Sequence, residues 1–266
     1  MKLTVLISCM NQTDCSIVER SRVETDAVVV NQCGEDRVEE FDFTNRKGET
    51  CHVKFISTTE RGLSRSRNMA IQNAEGADVC LICDDDEQLA EGYEDAILSA
   101  YEKNPDYTAI SFALIRKGHT YPTTEADLNL IRILRTSSVQ ITFRRKDIME
   151  RQIWFDVCMG SGTGNGGGEE NMFMMNMKRC GLKMKYVPET IARILSDDSQ
   201  WNKGYDERFF RNNGWSTHRI LGFWLGLAYM FYWCIFRRKE YNHQLSVFKA
   251  LKAWNHGFWE RRDSNP

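Results

Sequence analysis

Over the first hundred positions, apolar residues fall in short runs that end in polar residues. Residues 3–8, 27–30, 52–56 and 79–83 are such runs, rich in Val, Ile and Leu. Runs of this length and composition predict buried strands. Between them the pattern changes. Residues 15–23 predict a short helix. Residues 62–71 predict another, with Leu63, Met69, Ala70 and Ile71 facing a core behind a cap at Gly62 or Ser64. A helix over 91–103, strands over 107–115 and 139–143, and a short helix over 144–151 follow. Alternating strands and helices predict an α/β fold, with a mostly parallel central sheet and helices on both faces. Ligands of such sheets bind beyond the carboxyl ends of the strands. Asn31, Asp84 and Asp86 then share one rim.

The run at 79–83 stops at Asp84, Asp85, Asp86 and Glu87. Burying an unpaired carboxylate costs several kcal/mol, roughly, so the chain is expected to surface at Asp84. Carboxylates crowded there suit a hard divalent cation, Mg²⁺ or Mn²⁺, with phosphate oxygens on its far side. An acidic turn capping the next helix is the plainer account of the same residues. Residues 160–168 hold six glycines in nine, which predicts a mobile loop rather than a helix or strand interior. The loop leads into a helix over 171–180. Glu169 and Glu170 at its start are favoured by the helix dipole; a carboxylate base beside a flexible lid is the functional reading. No Gly-Lys-Ser/Thr follows, so this is not a phosphate loop of the NTPase type. Arg65 and Arg67 run against the dipole near the start of their helix; ordinary surface arginines are the plainer account, and a compensating local anion is the functional reading.

With 266 residues, 42% of them hydrophobic, the chain can bury one large α/β core. A net charge of −2 gives no global field for nucleic acid. Nine cysteines, an odd number, together with no secretory signal read at the start, predict a reducing, cytoplasmic setting. Cys80 and Cys83 point to opposite faces of one strand and share no metal.

Composition shifts near residue 215. Residues 220–236 contain no charge and lie at the short edge of the about 20 residues a membrane span needs. Arg237, Arg238 and Lys239 follow at once. Then Leu245, Phe248, Leu251, Trp254 and Phe258 recur every three or four residues, near Lys249, Lys252, Arg261 and Arg262. Such a basic amphipathic helix suits an anionic membrane surface. The expected organisation is a catalytic domain over 1–215 and an apolar, basic helical region over 216–266. The latter would be attached in plane to the cytoplasmic face of the membrane. A buried core helix with a packed C-terminal partner is the alternative. His218 is a candidate metal ligand from this region.

Three stretches together carry a resemblance: Gly-Leu-Ser-Arg-Ser-Arg-Asn-Met-Ala-Ile at 62–71, Asp84-Asp85-Asp86-Glu87 after a strand, and Gly168-Glu169-Glu170 opening a helix. In order and separation the chain resembles family 2 glycosyltransferases of the GT-A fold, over residues 2–190. The acid triplet falls on that family's DxD motif, and Gly-Glu-Glu falls on its Gly-Glu-Asp. Trp154-Phe155-Asp156 sits where the family has an aromatic and an acid ahead of the acceptor loop. Three departures stand out. Ser8-Cys9-Met10-Asn11 replaces the usual Pro-Thr-Tyr-Asn, Asn31-Gln32 replaces an aspartate pair that holds the base, and Glu170 replaces the catalytic aspartate.

The resemblance implies an inverting, metal-assisted transfer of a sugar from a nucleotide sugar, read here as a UDP-sugar, to a glycan or lipid-linked glycan. It implies Asp86 and Asp84 for Mg²⁺ or Mn²⁺. Asn31, Arg65, Arg67, Asp84 and Asp85 would bind the donor, Asn31 reading uracil through its amide. Glu170 would be the base, Glu169 its fallback or an acceptor-sugar ligand, and Asp156 and Trp154 would meet the acceptor, a loop salt bridge being an equal account of Asp156. A nucleotidyltransferase is a rival, but it would need a basic, Gly-rich loop after the first strand, and residues 8–13 contain neither Gly nor Lys. A weak or inactive membrane-associated sugar-nucleotide-binding protein is the other rival, and nucleotide-sugar hydrolysis separates it from an enzyme. A homo-oligomer is left open.

Overall fold

The computed structural model describes residues 1–195 and 204–262. The first half builds β1 (Leu3–Met10), α1 (Ile17–Arg20), β2 (Asp26–Gln32), β3 (Arg37–Thr44), β4 (Thr50–Thr58), α2 (Leu63–Gln72), β5 (Val79–Asp84), β6 (Glu87–Leu89) and α3 (Tyr93–Lys103). Then come β7 (Ala109–Ile115), β8 (Ala126–Asp127), α4 (Leu130–Ile133), β9 (Ile141–Arg144), α5 (Arg145–Glu150), α6 (Glu169–Arg179), β10 (Met184–Ile194), α7 (Glu207–Phe231) and α8 (Val247–Trp259). The described strands form one sheet in the order β3-β4-β2-β1-β5-β9-β7-β10-β6, with β8 on β10.

The half built from β4, β2, β1 and β5 is parallel. β9 enters antiparallel between β5 and β7, so the other half is mixed. Alternation along the strands feeds two apolar layers. Cys80, Ile82 and Ile71 face one with Phe143, Phe155 and Phe173. Val79, Leu81 and Cys83 face the other with Ile97 and Tyr101. Cys80 and Cys83 therefore lie on opposite faces, as expected. The helix expected over 15–23 is a single turn. β3, a stretch without a long apolar run, pairs antiparallel with β4 at the sheet edge and alternates exposed with half-buried residues. Sheet edges tolerate polar alternation because one face stays wet.

The expected boundary after residue 215 falls inside α7. Trp215 and Ile220 are buried in the main core. The helical path breaks instead at Gly222 (φ 72°, ψ −169°), where glycine meets no steric cost at positive φ. Beyond it the chain reverses. The Phe209 and Trp233 rings lie 5.8 Å apart, whereas a straight helix would separate them by about 36 Å. The α7 hairpin packs on α8 around Phe210, Met230, Cys234, Tyr241 and Trp254.

Candidate active site

The carboxyl ends of β1, β2 and β5 open into a cavity of about 780 Å³. Asp84, Asp85, Asp86, Arg61, Arg116 and Gln32 line it, with the hydroxyls of Ser8, Ser137, Ser138 and Ser161. Asp85 and Asp86 are exposed, as expected for a chain that surfaces there. Glu87 does the opposite: it turns inward on β6 and is 3% exposed. Burial, reinforced by Asp84 and Asp86, pushes its carboxyl well above the usual range. Burial, then the neighbouring Asp84 and Asp86, also raises Asp85.

Arg67 is not on the cavity wall. It is 2% exposed, and its guanidinium bridges two acids. Nη2 donates to both Asp84 oxygens at 2.9 and 3.1 Å, and Nη1 donates to Glu169 at 3.1 Å. Burial acts to lower its proton affinity, and Asp84 and Glu169 outweigh that. Asp84 also accepts from the Ser138 hydroxyl. The compensating anions expected near this helix are thus protein carboxylates, which corrects the assignment of Arg67 to the donor. Arg65 pairs with Glu60. The cations that do line the cavity, Arg61 and Arg116, lack any helical or motif pattern and were not legible in sequence.

Asn31 is 1% exposed, and both ends of its amide are taken by the Gln12 backbone. It pins the turn after β1 from a buried position off the cavity wall, which corrects its assignment to the base. Its neighbour Gln32 lines the cavity and accepts from the Gly62 N–H at 2.7 Å.

The Gly-rich stretch is a built turn. Gly160 N–H donates to Gly166 O, Asn165 to Cys158 O, and Leu63 N–H to Ser161 O. Gly166 is pressed against α7, where a Cβ would lie 2.2 Å from Ser216 Oγ. Ser161 and Gly162 line the first cavity. Gly166, Gly167 and Gly168 line a second, of about 270 Å³, together with Glu170, Ser216, Leu221 and Tyr229. Glu170 is half-buried there. Burial, then Glu169, pushes its carboxyl well above the ordinary range, and Arg67 only partly offsets this.

The glycosyl transferase family 2 model matches residues 8–164, more than half of the chain. The chain belongs to glycosyl transferase family 2. No curated protein matches it. Among solved structures, S. aureus TarS 1–349 is similar at 15% identity and TM-score 0.60, over 97% of this chain and 81% of that one. The same fragment in complex with UDP-GlcNAc gives 15% identity and TM-score 0.63, over 97% and 79%. A longer TarS structure gives 17% and 0.55, over 83% of this chain and 40% of that one. The sheet order and the appended helices are thus those of a GT-A glycosyltransferase. The family match ends before Glu169 and Glu170.

The remaining expected site residues of this glycosyltransferase lie elsewhere. Asp156 is bound by Arg219 of α7 and by the Cys158 N–H. Burial acts to raise its carboxyl, but these two hydrogen bonds hold it below the usual range. Trp154 is half-buried against the main core. His218 stacks on Phe258 at 4.2 Å and contacts its carbonyl through Nδ1, in the α7–α8 seam. It is a packing residue there, not a partner of the aspartates.

Among the described residues no three His, Cys, Asp or Glu side chains are placed to hold a metal. Mg²⁺ bound by one or two carboxylates together with substrate phosphates needs no such cage. Asp85 and Asp86, both exposed on the cavity wall, fit that donor set. Asp84, held by Arg67, fits it less well.

Proposed function

We propose that this glycosyltransferase moves a sugar from a UDP-sugar to a hydroxyl of a glycan or lipid-linked glycan, with inversion, assisted by Mg²⁺ or Mn²⁺. The observation that carries the reading is the cavity at the strand ends, where Asp85 and Asp86 face Arg61 and Arg116 among serine hydroxyls. Arg61 and Arg116 hold the diphosphate, and Gln32 stands where the base would dock. A divalent ion, when bound, neutralises charge on the leaving nucleoside diphosphate. The TarS complex with UDP-GlcNAc favours a uridine donor.

Glu170 is the base. A carboxyl with raised proton affinity accepts the acceptor's hydroxyl proton better than Glu169, which Arg67 holds as an ion pair. The Gly-rich turn walls both cavities, so donor sugar and acceptor hydroxyl meet across it. Asp156 and Trp154 support the acceptor side through the loop they anchor. The protein works at the cytoplasmic face of a membrane, held peripherally by its C-terminal region.

Calorimetric titration of UDP-GlcNAc with and without Mn²⁺ tests the donor site. Binding should require the metal and should be lost in Asp86→Asn with the thermal transition unchanged. Equal binding by Asp86→Asn would remove Asp86 from the site.

A further inference from the structure

The second half of the α7 hairpin has two apolar faces, and the protein covers one. Gly226, Met230 and Cys234 are buried in the helical bundle. Positions 224, 225, 228, 231, 232, 235 and 236 are all exposed. Their spacing of three and four residues places them on one side of the helix. Trp224 is 79% exposed, Phe236 75% and Leu225 53%. At about 200 Å² per aromatic side chain, the stripe leaves on the order of 700 Å² of apolar surface, more than the largest patch on a typical monomer. Trp259 of α8, 60% exposed, extends it through Phe223, whose ring lies 5.7 Å away.

We infer that this stripe is a lipid-insertion face, by which the enzyme lies in the plane of an anionic membrane without crossing it. The break at Gly222 argues against a span. The apolar stretch from Glu207 to Phe236 has the length of one, but it folds back on itself. Phe223 to Phe236 covers about 21 Å, short of the roughly 30 Å hydrocarbon core. The first arm of the hairpin carries Arg208, Arg211 and Arg219 and packs on the catalytic core through Trp215.

Charge selects lipid over a second copy of the chain. Residues 237–262 contain seven Lys and Arg against Glu240 and Glu260. Arg237, Arg238 and Lys239, all exposed, stand at the end of the stripe. Over these residues a second copy would offer the cluster only Glu240 and Glu260, which are already paired with Arg237, Arg211 and Arg262, whereas anionic headgroups neutralise it. The placement also serves the reaction. Leu221 and Tyr229, on the two arms of the hairpin, wall the cavity that holds Glu170. An acceptor hydroxyl on a lipid carrier would reach that cavity from the membrane surface. This use of the face rests on the sugar transfer proposed above; its membrane binding does not.

The test adds purified full-length protein to preformed vesicles of phosphatidylcholine, with and without phosphatidylglycerol, in the absence of donor, followed by flotation. Wild type should float with the anionic vesicles and be partly released by high salt, which screens the basic residues and leaves the apolar contact. Trp224→Ser/Phe236→Ser, at exposed positions, should float at least tenfold less, yet keep its thermal transition and UDP-GlcNAc titration. Arg238→Glu/Lys239→Glu should lose the preference for anionic vesicles. Equal flotation by the Trp224/Phe236 variant would overturn the proposal. A wild type that ignores vesicles and sediments as a dimer, which the same variant converts to monomer, would assign the face to a second copy. Loss of donor binding in wild type would sink the proposed function and leave the vesicle result standing.

Discussion

Replacing Arg67 with Met should cost the protein about 4 kcal/mol. The side chain is 2% exposed and holds Asp84 and Glu169 together with three charge-assisted hydrogen bonds. Methionine is similar in length and leaves little cavity, so the loss is electrostatic. Removing one partner of a buried ion pair costs about 3–5 kcal/mol, because the other charge stays buried without compensation. Glu169, 7% exposed, has little water to turn to. Asp84, with a quarter of its side chain exposed, is partly solvated, which keeps the figure from doubling for two carboxylates. For a chain of this size, about 4 kcal/mol corresponds to a fall in Tm of roughly 10 °C. Urea unfolding followed by circular dichroism, with thermal melts alongside, measures it. Arg67→Met/Asp84→Asn/Glu169→Gln, which leaves no charge behind, should recover most of the loss. A loss below about 1 kcal/mol in Arg67→Met, the range of an exposed pair, would refute the structural role and return Arg67 to the donor site.

Glu170→Gln should leave UDP-GlcNAc binding nearly intact and reduce turnover on the order of 10²-fold. A base must be unprotonated to act, so in wild type kcat/KM should fall as pH drops through a carboxyl raised well above its ordinary value; an acid limb at the normal carboxylate pKa would contradict this. Glu87 binds its proton more tightly folded than unfolded, so it costs stability as pH rises above the ordinary carboxylate range. Glu87→Gln should therefore raise Tm more at pH 8 than at pH 5, with melts at both values as the check. Gly166→Ala places a Cβ 2.2 Å from Ser216 Oγ and 2.9 Å from the Asn212 carbonyl oxygen. It should cost about 1–3 kcal/mol through overpacking, read as a lower urea midpoint with unchanged slope.

Hydrophobic periodicity is a property of neighbours in one element, so the sequence by itself determined the strands around β1, β2, β4 and β5 and the faces of Cys80 and Cys83. It also placed the acids at the end of β5 and the glycines before α6, since each signal spans a dozen residues at most. The family resemblance was legible for the same reason. What each polar group does was decided only by tertiary structure. Arg67 meets its acids 17 and 102 residues away, and no local pattern reports that distance. Asn31 spends its amide on Gln12, Asp156 its carboxylate on Arg219, and His218 its ring on Phe258. In each case a distant segment took the lone pairs or donors that the residue type alone left available. Glu87 went into the core because β10 pairs with β6, and a carboxyl can be buried once it keeps its proton. The apolar run near the C-terminus announced its composition in sequence. Its reversal at Gly222, which divides it into a buried and a bare face, followed from a left-handed backbone at one glycine and from the packing of Phe209 and Phe210 on Trp233.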